Sequence, residues 1–250
     1  MTVKKLYTRE EFEQLRLEKA GEMAADKVLI EEARQIMAKA DRYYWLHQMN
    51  WFGEPVLNLP QDMFAFAEII YRTRPEFIIE LGVAWGGSLL FYSTLLQILG
   101  GKNVIGVDVY IPDDLKTRLA SHGKISKKII LINGSSTNEG TVAKIKSILE
   151  GSRKILIILD SLHTHKHVLK ELKIYSQFVG KDYYLICGDT DIEYIPQPED
   201  RPRPWGVGNN PKTALDEFLK ENDRFVIDQS VDNKLLFTCI PGGYLKCIKN

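Results

Sequence analysis

Short apolar runs alternate with helical patterns from Phe77 onward. The runs are FIIEL (77–81), NVIGVD (103–108), KIILIN (128–133), KILIILD (154–160) and DYYLICGD (182–189), with helical patterns at 87–99, 112–121, 137–149 and 164–178. Continuous apolar strands separated by helices are typical of a parallel sheet covered on both faces. The pattern therefore predicts an α/β, doubly wound, Rossmann-like fold.

The C-terminal region has a different pattern. Asn210 and Pro211 predict a helix start, because Asn is a good cap and Pro fits the first turn. Beyond that helix, RFVIDQ (224–229) and KLLFTCI (234–240) flank SVDN, which predicts a hairpin. We expect the last strand to run antiparallel to the others.

The first 60 residues read as a helical N-terminal extension. Thr8 and Glu11 have the spacing of a capping box, and apolar residues recur at helical spacing from Glu31 to about Gln48. The predicted domains are thus the extension, 1–60, and a Rossmann-like domain, 61–250.

Polar and small residues follow every predicted strand. In doubly wound sheets, ligands bind beyond the carboxyl ends of the strands, so these residues should share one crevice. At the end of each strand or just beyond it, they are Glu80, Gly82, Gly86 and Ser88 for the first strand, Asp108 for the second, Ser135 and Ser136 for the third, Asp160 and His163 for the fourth, and Asp189 for the fifth.

The loop after the first strand has the spacing G-x-x-x-G-G. It is neither the G-x-G-x-x-G of a dinucleotide fold nor a P-loop, since no Gly-Lys-Ser/Thr follows. Glu80 before the loop can meet an amine or position the loop. Ser88 opens the next helix, where its hydroxyl and nearby amides can hold a carboxylate.

Acidic residues at the other tips suggest two further roles. Asp108 can accept hydrogen bonds from the two hydroxyls of a ribose, and Tyr110 is placed to stack on a base. Asp160 and Asp189 end neighbouring strands and form a natural site for Mg²⁺ or Mn²⁺.

Three histidines fall within five residues, at His163, His165 and His167. Only the first and third share a helical face, which disfavours a three-histidine metal site. We interpret His163, beside Asp160, as a general base.

A segment without periodicity, 191–210, follows the fifth strand. A loop of this length in a compact domain is usually a lid or a binding loop. Its Arg201, Arg203 and Trp205 are the predicted acceptor-recognition residues, together with His165.

The composition disfavours some classes of partner and of cellular location. The 33 basic and 33 acidic residues cancel, which disfavours a long polyanion such as nucleic acid. The three cysteines form no CxxC pair and fit a reducing compartment. Without a signal-peptide pattern or a membrane-length apolar run, we expect a cytoplasmic protein.

These residues resemble a known family. ELGVAWGGS (80–88) looks like motif I of class I S-adenosylmethionine-dependent methyltransferases, and about 50–245 resembles the cephalosporin hydroxylase family. The matching pieces are WFGEP (51–55), IELGVAWGGSLLFY (79–92), GVDV (106–109), INGSST (132–137), LDSLHTHKHVLKEL (159–172), RPWGVGNNPKTAL (203–215), DNKLLFT (232–238) and PGGYL (241–245). The family has a methyltransferase fold and is related to rhamnosyl O-methyltransferases and antibiotic-tailoring enzymes.

The resemblance implies roles for the strand-tip residues. The methionine part of S-adenosylmethionine would lie against the first loop, its ribose at the second tip and its adenine at the third. The implied cofactor contacts are Glu80, Gly82, Ala84, Gly86, Ser88, Asp108, Val109, Ser135, Ser136 and Asp160. Asp160 and Asp189 would be metal ligands, and His163 the base.

One position departs from the family pattern. The fifth strand ends in Gly188-Asp189 where the resemblance implies two acids. Asp189 would act with waters, Asp191 or Glu193 would substitute, or metal dependence would be lost.

The resulting hypothesis is a Mg²⁺-assisted O-methyltransferase acting on a sugar hydroxyl of a cell-surface glycan or glycolipid precursor. Three alternatives stay open: an enzyme tailoring a secondary metabolite, a non-haem iron oxygenase using Asp160, His163 and His165, and a binding module without catalysis. A dinucleotide oxidoreductase is disfavoured by the glycine spacing. The expected partner is a small-molecule or glycan acceptor, and a homo-oligomer is compatible with the sequence.

Overall fold

The computed structural model describes residues 7–196 and 201–250. The strands are β1 (Met49–Trp51), β2 (Glu54–Val56), β3 (Phe77–Leu81), β4 (Asn103–Asp108), β5 (Ile129–Asn133), β6 (Ile155–Leu159), β7 (Tyr184–Cys187), β8 (Phe225–Ile227) and β9 (Tyr244–Cys247). The helices are α1 (Arg9–Ala25), α2 (Lys27–Asp41), α3 (Pro60–Thr73), α4 (Gly87–Leu99), α5 (Asp113–Ala120), α6 (Glu139–Leu149), α7 (His165–Tyr175), α8 (Pro211–Glu221) and α9 (Gln229–Asp232).

The central sheet has seven strands in the order β5-β4-β3-β6-β7-β9-β8. The first five are parallel, and β9 is antiparallel to both of its neighbours. Every residue of β3 and β6 is buried, because a hydrophobic cluster covers each face of the sheet. The predicted doubly wound α/β fold with an antiparallel last strand is therefore confirmed.

The predicted C-terminal hairpin is wrong. Residues 234–240 form no strand, and β9 begins only after Pro241. Asp228 caps the short α9 by accepting a hydrogen bond from the amide of Ser230 at 3.0 Å. The next segment then packs on α3, so its polar groups bond to that helix instead of to a strand.

The N-terminal helix pattern also extends less far than predicted. The capping box at Thr8 is present, but α2 ends at Asp41, before a left-handed Tyr44 (φ 53°). A single 3₁₀ turn (Trp45–His47) and the β1–β2 hairpin follow. The division at residue 60 stays a prediction. Among the described residues, no helix combines the length and apolar character needed to cross a membrane.

Asp62 links the start of α3 to the C-terminal segment. Its side chain is fully buried and accepts hydrogen bonds from the hydroxyls of Thr238 (2.5 Å) and Tyr244 (2.7 Å) and from the amide of Cys239 (3.0 Å). Burial raises the pKa of Asp62 to about 6, against the effect of these hydrogen bonds. This side chain holds together segments about 180 positions apart in the chain.

We expect Asp62→Ala to lower the free energy of unfolding by about 3 kcal/mol, because it leaves buried donors without an acceptor. Chemical denaturation followed by circular dichroism would measure the change. Asp113→Ala is the control, since that side chain is exposed and pairs with Lys116 at the surface. Equal stability of the Asp62 variant and the wild type would contradict the assigned role.

Candidate active site

A cavity of about 780 Å³ lies beyond the carboxyl ends of the parallel strands. Residues from the tips of β3, β4, β5, β6 and β7 all line it, so the predicted common crevice is present. Of the predicted site residues, those lining it are Glu80, Gly82, Ala84, Gly86, Ser88, Asp108, Val109, Ser135, Ser136, Asp160, His163, Asp189, Asp191, Arg201, Arg203 and Trp205.

The glycine loop brings the tips of β3 and β6 together. Gly82 has a φ of +101°, and a Cβ there would lie 1.9 Å from the carbonyl oxygen of Asp160. Only glycine fits both the backbone angle and the close approach. The loop thus fixes the position of Asp160 relative to α4.

Glu80 is a buried carboxyl at the cavity wall. It is 1 % exposed and accepts a hydrogen bond from the Ser88 hydroxyl at 2.7 Å. Burial raises the pKa of Glu80 to about 8, which the Ser88 hydrogen bond partly opposes. A cationic group entering the cavity would stabilise the carboxylate form, as expected of a partner for an ammonium group.

Asp108 organises the loop above the cavity. Its Oδ2 accepts from the amide of Val83 at 2.8 Å, and its Oδ1 from the amide of Tyr110 at 3.0 Å. Each carboxylate oxygen has a second lone pair that remains available for a hydroxyl. Asp108 therefore suits a vicinal diol while holding the glycine loop. The exposed Tyr110 is not among the residues that line the cavity.

Asp160, His163 and Asp189 form the chemical centre of the cavity. One ligand atom from each lies within 4.8 Å of the others, and His163 Nε2 is 3.4 Å from Asp189 Oδ2. Burial, followed by the negative charge of Asp189, raises the pKa of Asp160 well above its usual range. Two carboxylates and an imidazole at this spacing match the donor set of a divalent cation.

Position 188 cannot supply a further ligand. A Cβ on Gly188 would lie 2.8 Å from the carbonyl oxygen of Leu159. Of the two proposed substitutes, Asp191 lies within 4.8 Å of Asp189 in a second group with Cys239. Glu193 instead holds the following loop, since it accepts from the Gly208 amide (2.8 Å) and the Asn210 side chain (2.5 Å).

The other end of the cavity is lined by the loop after β7 and by N-terminal elements. The Trp205 ring meets the His163 ring edge-on at 4.8 Å. Arg201 pairs with Asp41 at the end of α2, and its guanidinium lies 4.8 Å from the centre of the Tyr44 ring. The N-terminal wall consists of Met37, Asp41, Leu46 and His47. The helical pattern predicted over this region did not indicate that it faces the cavity.

His165 lies outside the cavity lining. Its Nδ1 is 2.9 Å from the Thr213 hydroxyl, and its Nε2 is 3.2 Å from Glu217. These contacts join α7 to α8. His167 does line the cavity, with Ser161 beside it; neither was among the predicted site residues.

Comparison with known proteins agrees with this geometry. Residues 43–248 match the rhamnosyl O-methyltransferase/CmcI family. A rhamnosyl O-methyltransferase of Mycobacterium leprae is 29 % identical over 199 residues, covering 78 % of this chain and 81 % of the relative. One of Mycobacterium tuberculosis is 27 % identical over 187 residues, covering 74 % and 72 %.

Solved structures share the fold. A CmcI structure with Mg and SAM superposes with a TM-score of 0.55 at 21 % identity, over 80 % of this chain and 76 % of that one. The SAH-bound methyltransferase of Podospora anserina gives a TM-score of 0.52 at 18 % identity, over 89 % and 92 %.

The predicted family, the Rossmann-like methyltransferase fold and the O-methyltransferase enzyme class are thereby confirmed. The family match spans most of the chain, from the 3₁₀ turn region to β9. The protein belongs to the rhamnosyl O-methyltransferase/CmcI family.

Proposed function

We propose that the protein transfers the methyl group of S-adenosylmethionine to a hydroxyl of a sugar, with a divalent cation at Asp160 and Asp189. The observation that carries this proposal is the single cavity that joins Glu80, Asp108 and the Asp160–His163–Asp189 group. The relatives named rhamnosyl O-methyltransferase support a sugar acceptor.

Cofactor binding is divided among the tips of β3, β4 and β5. Glu80 meets the ammonium group, and Ser88 with the first amides of α4 meets the carboxylate. Asp108 accepts from the ribose hydroxyls. Ala84, Gly86 and Val109 line the same wall, and Ser135 and Ser136 lie at the nucleobase end. S-adenosylmethionine supplies an electrophilic methyl group on a sulfonium, and the protein holds it in line with the acceptor oxygen.

The metal-binding residues favour deprotonation of the acceptor. A Mg²⁺ ion held by Asp160 and Asp189 would lower the pKa of an alcohol bound to it. Asp191 lies close enough to Asp189 to complete the acidic environment. His163 faces Asp189 and takes the proton from the acceptor hydroxyl, so the oxygen gains nucleophilicity as the methyl group moves.

The acceptor lies between Trp205, Arg203 and the N-terminal wall. An aromatic ring packs well against the C–H face of a sugar, and an arginine donates to its hydroxyls. A precursor of a cell-surface glycan or glycolipid is the substrate we favour, and a secondary metabolite is the second candidate. We retain a cytoplasmic location as a prediction.

The iron ligands required by the oxygenase alternative do not come together in the structure. An iron site of that kind needs two histidines and one carboxylate converging on one ion. His165 points to Thr213 and Glu217, and the metal-compatible groups among the described residues contain only His163 of the two.

Purified protein should transfer label from methyl-labelled S-adenosylmethionine to members of a panel of rhamnosides and other sugars. A chelator should lower the rate, and added Mg²⁺ should restore it.

His163→Ala should lower kcat by about 10²–10⁴ with unchanged cofactor affinity, because general-base catalysis contributes that range. His122→Ala, which pairs with Glu54 outside the cavity, is the control. Full activity in chelator and in the His163 variant would contradict the proposed metal and base.

Asp108→Ala should raise the Kd for S-adenosylhomocysteine by at least about 30-fold, since it removes charge-assisted hydrogen bonds to the ribose and the tether of the glycine loop. Isothermal titration calorimetry would measure this. Asp114→Ala on α5 is the matched control; its side chain is largely exposed and pairs with Arg118. A folded Asp108 variant with wild-type affinity would show that the ribose lies elsewhere.

Cofactor binding should depend on pH through Glu80. Below the raised pKa of about 8 the free protein holds Glu80 protonated. An arriving ammonium favours the carboxylate, so binding releases a proton and affinity rises from pH 6 to pH 8, by up to about tenfold per pH unit.

Titrations with S-adenosylhomocysteine in two buffers of different ionisation enthalpy would count the released protons. Glu80→Gln should abolish the release. Glu76 directly precedes the same strand and pairs with Lys102, so Glu76→Gln should leave the release unchanged. Proton release that persists in the Glu80 variant would assign it to another group.

A further inference from the structure

One face of α7 carries a polar stripe made of His167, Glu171 and Tyr175. The residues are four apart, so they lie along one side of the helix. Glu171 is fully buried, and the His167 side chain is 18 % exposed. Tyr175 donates to the backbone carbonyl of Ser136 at 2.8 Å. The stripe therefore begins at the cavity and runs into the protein.

The stripe connects two strand tips that line the cavity. His167 Nε2 lies 3.2 Å from the Ser136 hydroxyl at the β5 tip and 3.1 Å from the Ser161 hydroxyl at the β6 tip. The same nitrogen is 3.1 Å from Glu171 Oε1. Ser161 donates its own proton to Glu171 Oε1 at 2.6 Å.

The contact with Glu171 favours one tautomer of His167. A carboxylate only accepts, so it is satisfied when the His167 nitrogen facing it carries the proton. A protonated ring nitrogen cannot accept a hydrogen bond from the Ser136 hydroxyl, which lies 3.2 Å away. Within the described chain, Ser136 Oγ has no other hydrogen-bond partner. Its proton is left to point at an acceptor in the cavity.

Stability alone does not account for Glu171. Its Oε2 has no hydrogen-bond partner among the described residues although it is buried. Burying a carboxylate with an unsatisfied oxygen costs free energy that an apolar side chain at this position would avoid. The position of Glu171 is better explained by its effect on His167, because its carboxylate favours the tautomer that carries a proton on the facing ring nitrogen.

We propose that Glu171 and His167 are positioning residues that hold Ser136 as a hydrogen-bond donor to a ring nitrogen of the purine base of the cofactor. The inference rests on the proposed function and deepens it. The purine ring nitrogens are acceptors, so a serine fixed as a donor matches one of them. A serine hydroxyl that was free to rotate would distinguish less well between a ring nitrogen and a C–H group at the same position.

The test compares S-adenosylhomocysteine with three analogues in which N1, N3 or N7 is replaced by C–H. Wild-type protein should bind one analogue about tenfold or more weakly than the parent, because Ser136 loses its acceptor. Ser136→Ala should weaken parent binding by the same factor and bind that analogue as the wild type does. Calorimetry would measure the four affinities, those of the wild type and of Ser136→Ala for the parent and for that analogue, which together form a thermodynamic cycle.

Glu171→Gln reports the positioning role. It should reduce the preference for parent over that analogue to less than about threefold, a selective loss that general loosening of the fold would not produce. Glu217→Gln is the matched control, because it alters the partner of His165 outside the cavity. It should keep the full preference.

A second pair of variants guards against misfolding of the Glu171 variant. His167→Gln can still donate an N–H and should retain the preference, whereas His167→Leu should lose it. Equal weakening of parent and analogue by Glu171→Gln, or a wild type that treats all analogues alike, would overturn the inference. Failure of the wild type to bind S-adenosylhomocysteine would instead contradict the proposed function.

Discussion

The repulsion between Asp160 and Asp189 is the interaction on which the site depends. The parallel sheet delivers their carboxylates to the same edge, on the neighbouring strands β6 and β7. Burial, and after it the negative charge of Asp189, raises the pKa of Asp160 well above its usual range. Such an arrangement costs stability in the absence of a cation and gains it when one binds. The two carboxylates thus suit the divalent cation proposed above.

The surrounding loops hold these acids in place by local constraints. Gly82 lets the backbone of Asp160 approach closely. Asp108 fixes the glycine loop through the amide of Val83. Gly188 packs against the Leu159 carbonyl, so the tip of β7 lies tight against β6. Because the protein itself makes these contacts, they restrict the positions that the acids can take.

The sequence was most informative where structure follows from local pattern. Continuous apolar runs identified the parallel strands to within a few residues, because strands covered on both faces tolerate few polar side chains. The tips were predictable for the same reason, since Asp108 or Asp160 ends a run that is otherwise buried. Local sequence patterns do not indicate contacts between segments that are far apart in the chain. Asp62 draws Thr238 and Cys239 away from a hairpin, and nothing near residue 238 announces a partner about 180 positions earlier.

The histidine segment shows how helical geometry divides one motif among separate roles. His163 precedes α7 and stays with the carboxylates. His165 and His167 are two residues apart in the helix, about 200° around its axis, and so face opposite directions. The first therefore packs against α8, and the second reaches the tips of β5 and β6. Once α7 forms, the three histidines of this cluster therefore lie in three places: beside the carboxylates, between α7 and α8, and among the polar groups at the tips of β5 and β6.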